Sequence, residues 1–246
     1  LLKPSAEKAE LAVVSTLPNP RHPAPLGKVG EQLYASRFLG DRGYLVTYRL
    51  TDPLYVLDLS DPADPKVAGE LQVEGYSDYL FPLSARYLLG VGKDAAVDGG
   101  AGDGRFAWYQ GVKVSLIDVG DPATPREAAR EVIGKRGTDA TVLHDHHGMA
   151  LLASADGGTV RVALPVALHD TASEGMSGAP SDYYGFTRIQ LSRLTVDLAA
   201  GTLTRQADLL ADDAATERGI GNDRTLLATG QAHHYRNGLW ASWRWE

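Results

Sequence analysis

LYVLDLSDPADP, Leu54 to Pro65, recurs as VSLIDVGDPATP, Val114 to Pro125, with its landmarks 60 residues apart. The apolar alternation, Asp58 against Asp118, Asp61-Pro62 against Asp121-Pro122, and Pro65 against Pro125 all fall in register. Each copy reads as a strand running into a Pro-rich turn, with Pro presetting φ and Asp accepting a local hydrogen bond. A fixed period built on such a unit predicts a radial or stacked β architecture, because one unit cannot bury its own face.

Outward from this stretch the chain divides into short strands rich in Tyr, Val and Leu. QLYASRFLG (Gln32 to Gly40), RGYLVTYRL (Arg42 to Leu50), PLYVLDLSDP (Pro53 to Pro62) and KVAGELQV (Lys66 to Val73) are parted by Gly-Asp, Thr-Asp-Pro and Asp-Pro turns. Four such strands make one blade of a β-propeller. YLFPLS, RYLLGVG, GVKVSLIDVGDP and REAAREVIG repeat the order between residues 79 and 134. A third unit is traced over 140–210 as ATVLHDHH, MALLASA, FTRIQLSRLTVDL and TLTRQADLL. The expected fold is therefore all-β: four-stranded antiparallel blades at about 60 residues per repeat. Units fall at 32–73, 79–134 and 140–210, within a single domain spanning the chain. A partial unit at 218–246, joined by strands from 11–29 such as LAVVST, leaves two readings: a partial propeller, or one closed by strands from both ends. Leu1 to Glu10 reads as a polar linker. Insertions break the second unit at Lys93 to Gln110 and the third around His169 to Tyr184, both after the second strand. That common place puts both on one face of the disc, where binding loops sit.

Composition bounds the function. A net charge of −7 with no clustered Lys/Arg face disfavours nucleic acid. The absence of cysteine removes disulfides, thiolate chemistry and Cys-ligated zinc. No apolar run approaches the ~18 residues of a membrane span. The chain opens Leu1-Leu2-Lys3 rather than on Met, as a processed or partial chain does, with any signal peptide upstream. No G-x-S-x-G elbow, phosphate loop or dinucleotide fingerprint occurs, so ordinary hydrolase and nucleotide chemistry lacks a sequence basis.

The run LYVLDLSDPADPKVAGEL resembles the LVIVD type of propeller repeat. The longer run DRGYLVTYRLTDPLYVLDLSDPADPKVAGELQVEGYSDYLFPL, with YLLGVGKD, FAWYQGVKVSLIDVGDP and GKRGTDATVLHDHH, is similar to secreted bacterial and archaeal proteins with a C-terminal β-propeller domain, distantly related to WD40. The resemblance implies export, to the periplasm or beyond, and a longer parent chain. It implies no reaction or ligand.

Candidate sites remain, each with a plainer reading beside it. Asp94, Asp98 and Asp103 in a Gly-rich loop offer oxygens for Ca²⁺, although their spacing is not that of a Ca²⁺ loop and a solvated turn is the plainer reading. Trp108 and Tyr109 suit stacking on a sugar, or core packing. Asp78 and Asp139, repeat-matched in SDYL and TDAT, read as turn acceptors. VLHDHHGM places His144 and His146 two apart on an expected first strand, hence on one side of the channel, with His233-His234 at a similar depth in a further blade. Neutral imidazole suits a transition metal, and channel lining is the plainer reading. The function expected is a non-enzymatic exported scaffold whose insertion-bearing face binds a protein or glycan at the cell envelope. The alternative is a metal-dependent propeller enzyme using the channel His and Asp residues.

Overall fold

The computed structural model describes residues 1–4, 10–27, 29–48, 52–97, 107–212 and 219–245. Apart from two single 3-10 turns, the regular structure is strand. No helix among the described residues is long and apolar enough to cross a membrane.

A short hairpin, β1 (Leu2–Pro4) and β2 (Leu11–Val13), opens the chain. The first four-stranded sheet is β3 (Gln32–Leu39), β4 (Arg42–Tyr48), β5 (Asp52–Asp58) and β6 (Lys66–Val73), antiparallel and in sequence order. The second repeats it as β7 (Tyr76–Pro82), β8 (Tyr87–Val97), β9 (Ala107–Asp118) and β10 (Arg126–Ile133). The third has a broken first strand, β11 (Asp139–Ala140) and β12 (Ala150–Ala153), both paired with β13 (Thr159–Thr171). It continues through β14 (Gly185–Asp197) to a broken outer strand, β15 (Thr202–Arg205) and β16 (Leu209–Asp212). β17 (Arg224–Ala228), β18 (Gln231–Arg236) and β19 (Leu239–Arg244) form a three-stranded sheet.

The 60-residue repeat holds down to single hydrogen bonds. Asp61 Oδ1 accepts from Ala63 N at 2.9 Å and Asp121 Oδ1 from Ala123 N at 3.0 Å. The main-chain carbonyls of the same residues accept from Asp64 N and Thr124 N. The outer strands slip register at matched places too, leaving Ala68 and Ala128 as the unpaired residues of equivalent β-bulges. A tie shared by three sheets follows the third strand: Leu59, Val119 and Leu198 N–H donate to the carbonyls of Asp41, Arg86 and Gly158 at 2.8, 2.8 and 2.9 Å.

Each central sheet buries both faces, as the period of two demands. In the second sheet Leu88 and Ile117 pack with Tyr44, Val46, Leu54 and Val56 of the first. Their strand neighbours Leu89 and Leu116 face the other way, onto Val162, Leu164 and Val166 of the third. A smaller cluster of Ala163, Leu191, Leu227, Ala232 and Trp245 joins the third sheet to the last.

Four expectations change. The third unit's second strand is TVRVALPVALHDT, not MALLASA, which is instead the second half of the first strand. Pro165 argues against a central strand because it lacks the ladder donor. Here the first strand is interrupted opposite it: Ala140 pairs with Val166 and Ala150 with Ala163, and the intervening residues leave the ladder. VLHDHH is accordingly no strand but two 3-10 turns, Thr141–Leu143 and His146–Gly148. The segment read as a polar linker supplies β1, which pairs with β2, while the partial unit at the tail is a three-stranded sheet of its own. The chain ends therefore share no sheet among the described residues. A local partner closes a short loop, which costs less entropy than pairing across the whole chain. The following segment docks instead on the first repeat's turn, Ser15 Oγ donating to Pro62 O at 2.6 Å and Arg21 pairing with Asp64 at 3.1 Å.

Two tests follow. A Cβ on Gly69 of β6 would lie 2.3 Å from the Pro122 carbonyl of the neighbouring turn, with backbone rather than a flexible side chain in the way. Gly69→Ala should cost about 1–3 kcal/mol by overpacking, read as a fall in Tm, and an unchanged Tm would refute this close approach of the first two sheets. Second, the Arg86 guanidinium, bonded to Asp118 at 3.1 and 2.9 Å, with help from Gly120 N–H and Arg126, holds the Asp118 carboxyl down at about 2 despite burial. Its folded value lies below the ordinary ~3.9, so its stabilisation is whole above about pH 4 and lost as pH falls toward 2. Asp118→Asn should flatten that part of the stability–pH curve, measured by denaturant titration at several pH values.

Candidate functional site

The two insertions are extensions of strands rather than detached loops. β8 and β9 stay paired past the body of their sheet, Ala95 opposite Tyr109 and Ala96 opposite Trp108, where the two aromatic residues suit a pleated surface. β13 and β14 likewise run out to the pair Thr171–Gly185. Residues 172–184 between them are organised by Asp182, whose Oδ2 accepts from the N–H groups of Ser177, Gly178 and Ala179 at 3.0, 2.7 and 3.0 Å.

The two extensions meet. Gln110 Nε2 donates to Trp108 O at 3.0 Å and across to Pro180 O at 2.9 Å. Arg136, in the GKRGT turn after β10, lays its guanidinium 4.2 Å from the Trp108 ring centroid and 6.0 Å from that of Tyr183. Contacts of this kind contribute about 0.5–2 kcal/mol, more as they are desolvated. The Arg136 carbonyl accepts from Tyr184 N at 3.0 Å, and His169, edge-on to the rings of Tyr183 and Phe186, bonds the Tyr184 carbonyl through Nδ1 at 2.8 Å. Tyr109 and Tyr183 remain 39% and 61% exposed, so this joint presents aromatic surface to solvent. Tyr109 also continues an aromatic path inward, 5.0 Å from Tyr76, which is 5.3 Å from Tyr34 on the first sheet.

Charged groups lie along the first strands. Asp139 Oδ2 bonds His144 Nε2 at 2.8 Å, and its Oδ1 is 3.9 Å from Lys93 Nζ. Lys93 also donates to the Thr138 carbonyl, and burial pulls its pKa below the usual ammonium value. Asp78 is no turn acceptor. It is the unpaired residue of a bulge in β7, and among the described residues no donor reaches it. Burial raises its carboxyl to about 6, with the His144 and Lys93 charges opposing and Asp139 adding to the rise. Burial, then the Asp78 charge, likewise raises the Tyr76 hydroxyl.

The other sequence candidates separate. His144 turns to Asp139, whereas His146 faces Tyr79, 5.7 Å between ring centroids, and stacks on His147 at 3.9 Å. Ligand atoms of Asp145, His146 and His147 lie within 4.8 Å of one another. Asp145 is already engaged, by His147 N and Nδ1 at Oδ1 and by Arg224 at Oδ2, 2.6 Å away. His233 is on the middle strand of the last sheet, bonded to Ser242 Oγ at 2.7 Å. Its neighbour His234 is buried against Asp223 at 2.9 Å. Asp94 sits on β8 with its pKa raised by burial and with Lys113 and Arg130 opposing; Asp98 and Asp103 lie outside the described residues. Arg136, Gln110 and Tyr183 escaped the sequence reading. The one local signal was an arginine between two glycines in the GKRGT turn.

A family model described as a beta propeller domain matches residues 8–227. An uncharacterized protein of Methanocaldococcus jannaschii is 45% identical over 98 residues, covering 40% of this chain and 14% of the relative. An uncharacterized protein of Archaeoglobus fulgidus is 39% identical over 121 residues, 49% of this chain and 17% of the relative. The matched part is thus a small share of either relative's length. Among solved structures, the crystal structure of an ACO/RPE65 chimera aligns with 83% of this chain and 46% of its own at a TM-score of 0.36 and 11% identity.

Asp182→Ala should free three N–H groups of the second insertion and quicken hydrogen exchange across 177–179, while the Tm of the sheet core changes little. Unchanged exchange there would show that the carboxylate does not order the loop.

Proposed function

The chain belongs to the beta propeller domain family, and on that footing we propose that it is a non-enzymatic binding scaffold. Its ligand is a glycan or protein at the cell envelope, met by the joined insertions of the second and third sheets. The observation that carries this reading is Arg136 seated between Trp108 and Tyr183, with Gln110 bonded to Pro180. Rigid exposed rings lose little entropy on binding, which favours recognition there. Tyr109 and Tyr183 offer the flat faces that pack against sugar C–H groups or an apolar side chain. Export, and the LVIVD type of the repeat, rest on the resemblance of the Leu54–Pro65 and Val114–Pro125 stretches.

Transition-metal binding is a second reading, favoured by the Asp145, His146 and His147 ligand atoms gathered within 4.8 Å. It requires a metal to compete with Arg224 for Asp145. Titration with Zn²⁺ or Cu²⁺ in a calorimeter, against His146→Ala, would decide it.

For the first reading, labelled protein should bind a glycan array or purified envelope material saturably. The double substitution Tyr109→Ala and Tyr183→Ala should weaken that binding tenfold or more, with a fall in Tm of only a few degrees from the lost ring contacts, so that the variant is still folded at the assay temperature. Equal binding by the double variant would overturn the assignment of the face.

A further inference from the structure

Arg136 carries a charge that no carboxylate of the described residues answers. Its guanidinium meets two rings, Trp108 at 4.2 Å and Tyr183 at 6.0 Å, and makes no hydrogen bond or ion pair among the described residues. Nε is buried with its N–H unpaired, whereas the two terminal nitrogens, unpaired as well, are not buried. Other arginines of this chain have found anions: Arg86 and Arg126 share Asp118, Arg205 pairs with Asp208 and Arg224 with Asp145. A ring face attracts a cation but gives its N–H groups no lone pair, so the donors of Arg136 stay available to an acceptor from outside.

The arginine is fixed before any ligand arrives. Its carbonyl accepts from Tyr184 N, Lys135 N–H donates to the His169 carbonyl at 2.8 Å, and Thr138 N–H closes the turn on the Lys135 carbonyl at 3.0 Å. Glycines on both flanks allow the turn to press this close. Gly134 and Gly137 have φ of +70° and +111°, and a Cβ on Gly137 would stand 2.7 Å from His169 Nδ1 and 3.0 Å from the Tyr183 ring. A side chain on a backbone so held loses less freedom on binding.

The class of ligand follows from what lies around that cation. A guanidinium with accessible terminal nitrogens takes a planar carboxylate through two parallel N–H···O bonds. A peptide bearing the carboxylate would also need main-chain partners, and here the Pro180, Arg136 and Tyr184 carbonyls are already taken by Gln110, Tyr184 N and His169. The joint instead presents the exposed rings of Tyr109 and Tyr183, and Gln110 Oε1, which accepts from no donor among the described residues. Such rings suit the C–H face of a pyranose, and the amide oxygen suits a sugar hydroxyl. We infer that the ligand of this face is an acidic glycan containing hexuronate, with a sugar carboxylate on the terminal nitrogens of Arg136 and the pyranose face on Tyr183. A hexuronate carries its carboxylate directly on the ring, so one sugar reaches both groups across their 6.0 Å separation, whereas a sulfate or phosphate ester sets its charge further out. A neutral sugar would leave the Arg136 charge unmatched. The assignment rests on the reading of the joined insertions as a binding surface, and adds to it the charge of the ligand.

The test is calorimetric, on the 246-residue chain, with soluble oligomers of galacturonic, glucuronic and mannuronic acid as probes. Each is titrated beside its methyl ester, which keeps the sugar and removes the charge, and beside a sulfated neutral oligosaccharide. Expected is saturable binding of at least one oligouronate, with its ester and the sulfated sugar tenfold weaker or worse, and a gap between acid and ester that shrinks as salt is raised. Arg136→Gln should bring the ratio of acid to ester affinity down to about one, since the charge it reads is gone. The ratio is the readout because a joint loosened by the lost contact with Trp108 would weaken acid and ester alike. The assignment is overturned if no oligouronate saturates, if the ester or the sulfated sugar binds as tightly as the acid, or if Arg136→Gln keeps the ratio. Where envelope material still binds in a manner that depends on Tyr109 and Tyr183 while no oligouronate does, the face stands and the ligand class is wrong; where neither binds, both fall.

Discussion

A strand apolar on both faces must lie between two other sheets, and β8 and β9 impose that condition on the whole molecule. Leu88 and Ile117 face the first sheet while Leu89 and Leu116 face the third, and all four are buried. The second sheet therefore has no stable existence alone, and the repeat is a packing requirement before it is a pattern. The polar residues within the same run obey it by finding local partners. Ser115 Oγ bonds Glu127 Oε1 at 2.6 Å, and buried Lys113 reaches the Glu74 carbonyl. Gly69 shows how tight the stacking becomes, since the turn carrying Pro122 passes where a side chain would begin.

How far the fold could be read from the sequence depended on whether its signals were local. The Asp-Pro turns and their strands were legible because turn chemistry and period-two alternation sit within a dozen residues. The sheet of residues 32–73 has the four expected strands in the expected order, the third ending at Asp58 where the Asp-Pro turn begins. The third sheet was misread where two breaks compensate each other. Pro165 disguised β13 as loop, and the excursion opposite it disguised one first strand as two. Neither break is intelligible without its partner across the ladder. The histidines followed the same error: an alternation argument requires a strand, and 3-10 turns send His144 toward Asp139 and His146 toward Tyr79.

The candidate face was half legible for the same reason. Trp108 and Tyr109 stand in a visible insertion. Arg136 and Tyr183 matter only because the second and third sheets are neighbours, which brings a turn after β10 against the loop after β13. That is tertiary information. The two insertions occupy equivalent places, so stacking their sheets brings their tips together, and Gln110 and Arg136 fix the contact that the topology makes available.

The bulges in the first strands show how a repeat acquires different chemistry without changing its frame. Tyr34 in β3 and Asp78 in β7 are each the extra residue before a ladder pair, Ala35–Val46 and Tyr79–Val91, whose second-strand members pair on with Leu54 and Val114, 60 residues apart. A bulge re-aims one side chain while the rest of the strand keeps its pairing. That position is thus free to vary: Tyr34 extends an aromatic path, while Asp78 places a carboxylate in a pocket. In the third sheet the corresponding stretch leaves the ladder altogether, and of the residues released, His144 turns back to Asp139 of its own sheet while His146 reaches Tyr79 of the second. The first outer strand has no such freedom, because Gly69, beside the bulge at Ala68, lies against the Pro122 turn of the next sheet, and the Ala128 bulge of the second packs on the core. Chemical diversity accordingly collects on the first strands and the insertions, and the period survives where neighbouring sheets pack against it.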